Sequence, residues 1–81
     1  MKALFRESVQ IEFKEPFESG DLLSIYSSAG DFICKLNPIV GTKDLIWDGK
    51  NSNGEIISSG VYYLSARIKG KAYSKKLLKF D

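Results

Sequence analysis

The chain has 81 residues and a mass of 9.1 kDa, room for one domain with one small core. It contains no histidine, so it has no imidazole base, no histidine metal ligand and no switch near neutral pH, and its single cysteine, Cys34, forms no internal disulfide. These absences argue against a self-contained enzyme, and the net charge of +2 hides an asymmetry: residues 1–66 carry six Lys or Arg against nine Asp or Glu, residues 67–81 six against one.

No apolar run approaches the roughly 18 residues of a membrane span, and Arg6-Glu7-Ser8 interrupts the opening residues before the apolar stretch of a secretory leader can form, so neither is expected. Glycines at 20, 30, 41, 49, 54, 60 and 70 punctuate short runs of alternating apolar and polar residues. That pattern predicts an all-β sandwich, with no sustained helical period. Residues 8–14 form the first strand, with Val9, Ile11 and Phe13 on one face, and Pro16 ends it. Residues 22–27 and 32–37 form a hairpin around Gly30, and residues 43–47 a short fourth strand with Leu45 and Trp47 on one face. The segment 48–60 is mostly irregular, with a brief strand expected at 55–58 after Asn53-Gly54. Residues 61–68 and 71–80 form the last hairpin, with Lys69-Gly70 at its tip. The total is six or seven mostly antiparallel strands in two small packed sheets, a single domain over residues 1–81.

Few residues offer chemistry. Cys34 lacks an activating base, with Ile33 and Lys35 expected on the opposite strand face, and reads as a structural thiol. The stretch from Asp48 to Glu55 has some oxygen donors of a calcium loop, but Lys50 replaces a ligand and Gly60 stands where the glutamate belongs, so Asp and Asn side chains are expected to cap turn amides; no metal or cofactor is expected. The ten acids show no paired placement. Tyr62, Tyr63, Tyr73 and Trp47 with the interleaved basic residues 67–79 could stack sugars or bases, yet alternation places Tyr62, Leu64, Ala66 and Ile68 on one face and Tyr63, Ser65 and Arg67 on the other, so one tyrosine face must pack the core. Terminal lysines also discourage edge-to-edge pairing, and nucleic-acid binding is not expected.

The run from Trp47-Asp48-Gly49 through Asn51, Gly54 and Gly60-Val61-Tyr62-Tyr63 resembles the W-D-G-x-D/N-x-x-G-x-x-V/I-x-S-G-V-Y signature of immunoglobulin-like modules. These are the C-terminal sorting domains of proteins exported by the type IX secretion system of Bacteroidetes-like bacteria, and the Ig-like domains of flagellar hook-capping proteins. Leu23-Ser24-Ile25-Tyr26-Ser27-Ser28-Ala29-Gly30 is similar to the family's L-x-I-Y-D-x-x-G hairpin, with Ser27 in place of Asp, and Phe5-Arg6-Glu7-Ser8-Val9-Gln10-Ile11 to its opening F-x-x-S-x-x-I strand, without the preceding Asn-Pro.

The resemblance implies an immunoglobulin-like β-sandwich, the C-terminal module of a larger secreted or cell-surface bacterial protein, with protein partners and no catalysis. Trp47, Asp48, Gly49, Asn51 and Gly54 would be architectural. Gly60, Tyr62, Lys75, Lys76, Leu77 and Leu78 would be the sorting or partner-binding residues, the exposed terminal hairpin docking by strand addition. Structural spacing or assembly is the alternative, carbohydrate binding through exposed aromatics a third, and association of copies through edge strands is compatible with each.

Overall fold

A computed structural model describes residues 2–5 and 7–80. The described residues form seven strands: β1 (Lys2–Phe5), β2 (Val9–Glu12), β3 (Leu22–Ser27), β4 (Phe32–Leu36), β5 (Asp44–Trp47), β6 (Gly60–Ile68) and β7 (Lys71–Lys79). Among the described residues there is no helix. The strands make two layers, a five-stranded sheet in the order β1-β7-β6-β3-β4 and a two-stranded sheet of β2 and β5. Every ladder is antiparallel except β1 beside β7, which is parallel with Lys2 opposite Lys76 and Phe5 opposite Lys79.

The core is formed by the apolar faces of β2 to β7, the two layers closing over each other. β6 buries Tyr62, Leu64, Ala66 and Ile68, β3 buries Leu23 and Ile25, β7 buries Leu77, and β2 and β5 bring Val9, Ile11 and Trp47 from the other side. Phe17 lies outside any strand but is fully buried. Backbone bonds to Thr42 and from Gly41 anchor it, and its ring meets Phe13 edge-on with centroids 5.2 Å apart.

Tyr62 identifies the architecture more closely. It stands near the start of β6, and its hydroxyl donates to the Ser58 carbonyl four residues upstream at 2.8 Å. Its ring packs edge-on against Trp47, centroids 5.9 Å apart. A tyrosine tied back in this way at the entry to a central strand, with β7-β6-β3 antiparallel in one sheet and β2-β5 in the other, is the tyrosine corner of an immunoglobulin-like sandwich.

Four local expectations are corrected. Residues 55–58 form no strand, only an isolated bridge between Lys50 and Ile56 across the turn at residues 52–53. The single opening strand of the F-x-x-S-x-x-I match is two strands in different layers, Phe5 ending β1 and Val9 beginning β2; Arg6 between them lies outside the described residues, as do Met1 and Asp81. β1 escapes sequence reading because its only ladder is to residues more than seventy positions away. Ile33 is not on the face opposite Cys34: the β3–β4 register shifts between Ile25 and Tyr26, and this irregularity turns Ile33 partly into the core. Finally, β7 is not a free edge along its whole length, because β1 covers residues 76–79.

Candidate interaction surface

The tryptophan loop is built to hold its own shape. Trp47 is buried to 1% exposure and its indole Nε1 donates to the Lys50 carbonyl at 3.1 Å. Asp48 Oδ1 accepts the Lys50 amide, and Asn51 Oδ1 accepts the amides of Asn53 and Glu55 at 2.9 and 3.0 Å. The Gly54 amide returns to the Asn51 carbonyl. Gly49 is buried at a φ of 74°, a conformation that disfavours any side chain, while its carbonyl accepts the Ile57 amide. Asp48 Oδ1 and Asn51 Oδ1, two oxygens of the stretch that resembles a calcium loop, are thus engaged by turn amides, and among the described residues no group of three or more His, Cys, Asp or Glu is placed to hold a metal ion.

The six residues expected to meet a partner divide sharply. Leu77 has no exposed surface and Tyr62 only 6%, so both are core residues and neither can touch a partner without unfolding. Gly60 is exposed at the entry to β6 with φ 152°, where it turns the chain into the strand. Leu78 is half-buried and Lys76 exposed, both from strand positions opposite Val61 and Tyr63. Lys75 is held locally: its Nζ donates to the Glu12 carbonyl at 3.0 Å and sits 5.0 Å above the centre of the Phe13 ring.

The basic charge of the last hairpin is likewise less available than the sequence implies. Lys69 Nζ lies 3.1 Å from Glu15 and 3.7 Å from Glu18, and the hydrogen bond to Glu15 raises its pKa. Lys79 is buried. Lys71 and Lys76 remain as exposed lysines of β7. The outer edge of β7 over residues 71–75 faces no strand among the described residues. Beside it runs a groove of about 490 Å³ with Phe13, Ile68, Tyr73 and Lys75 in its walls. The open sheet edge is therefore at the hairpin's tip half rather than at its C-terminal half.

The aromatic set expected for stacking does not assemble. Trp47 and Tyr62 are in the core, and Tyr73 is paired with Ala66 on the inward face while Tyr63 points outward. The outward face instead joins Tyr63 to Tyr26 on β3 and Phe32 on β4, two residues that sequence reading left out. Only the register shift in the β3–β4 hairpin puts Phe32 on that face, a feature no local pattern announces.

Cys34 is buried at 6% exposure. Burial pushes its thiol above the ordinary 9.0 and the Asp48 carboxylate adds to the rise, so the nucleophilic thiolate is disfavoured. Among the described residues no helix is long and apolar enough to cross a membrane. No protein-family model matches the chain, and no curated protein matches it.

Proposed function

We propose that the chain is a non-catalytic module that works through its surface, as the sorting and attachment signal of a secreted or cell-surface bacterial protein recognised by type IX secretion partners. One observation supports the non-catalytic part: Trp47 Nε1, Asp48 Oδ1 and Asn51 Oδ1, the side-chain groups the motif brings together, are engaged in holding the tryptophan loop in shape. The sorting part rests on the resemblance of residues 47–63 and on the open half of β7, whose unpaired backbone and flanking Lys71 and Lys76 suit docking of an extended partner segment.

Deleting residues 71–81 cannot test this reading, since it removes Leu77 from the core. The informative experiment fuses residues 1–81 to a periplasmic reporter in a bacterium with the type IX apparatus and compares it with Lys71→Glu/Lys76→Glu. Export of the first and loss of export in a folded second are expected. Retention of the unaltered fusion, or undiminished export of the charge-reversed one, overturns the proposal.

A spacer role is the second reading. It is favoured by Ile39, Val40, Ile46 and Ile56, each more than 60% exposed, which a neighbouring domain could cover. It predicts protection of these residues from solvent labelling in a longer parent chain.

A further inference from the structure

The outward face of the five-stranded sheet presents an ordered grid. One row crosses four strands as Phe32, Tyr26, Tyr63 and Lys76. The next row, two residues along each strand except across the β4 irregularity, is Lys35, Ser24, Ser65 and Ser74. Aromatic rings thus lie alongside hydroxyls, and the two rows carry their lysines at opposite ends. Three strand spacings make the grid about 14 Å wide. Phe32 is 54% and Tyr63 40% exposed, with Tyr26 held between them and edge-on to Phe32 at 5.8 Å between centroids.

Charge on this face is one-sided. Lys35, Lys76 and, further along β6, Arg67 project from it, whereas none of the chain's ten acidic residues stands at an outward position of β3, β4, β6 or β7. A second copy of the chain is a poor occupant, because two such faces stacked about a twofold axis bring cations against cations. A single-stranded nucleic acid brings a phosphate with every nucleotide, more charge than three separated cations offset, and the rest of the chain is close to neutral.

The complementary ligand is one with apolar ring faces, many hydroxyls and intermittent negative charge. We propose that this face binds an acidic polysaccharide: the C–H faces of its sugar rings lie on Tyr63, Tyr26 and Phe32, its hydroxyls exchange hydrogen bonds with the serine row, and its carboxylates or sulfates pair with Lys35 and Lys76. The site shares Lys76 with the docking edge, but its ring and serine rows lie apart from that edge, and its existence does not depend on the sorting role.

Affinity electrophoresis of residues 1–81 through gels containing polygalacturonate, heparin, neutral dextran or poly(dT) tests the assignment, with circular dichroism confirming that each variant is folded. Retardation by polygalacturonate or heparin that fades with added salt, and none by poly(dT), is expected. Tyr63→Ala should weaken it by about tenfold, the loss of one ring contact, and Lys35→Ser/Lys76→Ser should weaken it further. Tyr73→Ala, on the opposite face, should leave it unchanged. The proposal is overturned if neither acidic polysaccharide retards the protein, if folded Tyr63→Ala and the double lysine variant bind as the unaltered chain does, or if poly(dT) retards it as strongly. Uronate and sulfate ligands are distinguished by which of the two gels gives the stronger effect. Export of the reporter fusion carrying Tyr63→Ala separates this site from the sorting reading, since only the latter requires that export change with the partner-docking residues.

Discussion

Tyr62 joins three parts of the protein with one side chain: its ring closes on Trp47, its backbone enters the central sheet, and its hydroxyl ties down the Ser58 carbonyl. Tyr62→Phe keeps the ring and removes one hydrogen bond, so urea unfolding should show a loss of about 1 kcal/mol. Trp47→Ala, which empties a fully buried site in so small a core, should cost about 3–5 kcal/mol and leave little folded protein. Cys34 supplies a pH dependence whose sign follows from its raised pKa. The folded thiol holds its proton more tightly than the unfolded one, so that stability is complete below about 9.0 and falls as pH rises beyond it toward the folded value. Thermal melts between neutral pH and 10 should show this decline, and Cys34→Ala should reduce it. A disulfide reagent at neutral pH should label the thiol only as fast as the protein opens. The roles of Trp47, Asp48 and Asn51 were legible in sequence because turn chemistry is local; the Tyr26–Tyr63–Phe32 row was not, because it depends on three strands meeting in one register.

At the scale of elements, β3, β4, β5, β6 and β7 are readable from period-2 alternation to within a residue or two, since half-buried strands must place apolar side chains on one side. β1 is not, and its absence from the sequence reading has a cost: with β1 unrecognised, all of β7 looks like a free edge. In the fold, the same strand serves two purposes along its length. Its residues 76–79 are sealed between β1 and β6, and residues 71–75 are open on one side. Leu77→Ala should therefore destabilise the protein by about 2–5 kcal/mol, whereas Lys71→Glu should shift the unfolding midpoint hardly at all. Denaturant titration of the two variants distinguishes them, and the contrast is what permits export measurements on charge variants to be interpreted as recognition rather than folding.

For the whole molecule, the charge asymmetry seen in the linear sequence is redistributed by folding. Lys69 is drawn onto Glu15 and Glu18 in the β2–β3 connection, Lys75 onto the end of β2, and Lys79 into the interior, so the surface field of the last hairpin is weaker than its composition. Of the cations that remain, Arg67 and Lys76 fall on the outward sheet face with Lys35, which comes from the acidic part of the chain, while Lys71 stands opposite Ile68 at the hairpin tip. Sequence segments sort charge by position along the chain, whereas a sheet sorts it by face. This is why the terminal hairpin was legible as basic but the face on which its exposed charge acts was not.

The parallel pairing of β1 with β7 also has a mechanical meaning. Lys2 lies opposite Lys76 and Phe5 opposite Lys79, so the early end of β1 and the late end of β7 are at opposite ends of the same short ladder. A force drawing those two ends apart slides one strand along the other and loads the bonds between them together, instead of peeling them open singly. Stretching the protein between handles at its two ends should therefore meet greater resistance than pulling between handles at residues 5 and 79, which sit side by side at one end of the ladder and peel it open bond by bond, and single-molecule force spectroscopy on the two tethers would show the difference directly. A fold joined in this way resists tension along its length while its individual strand contacts remain weak.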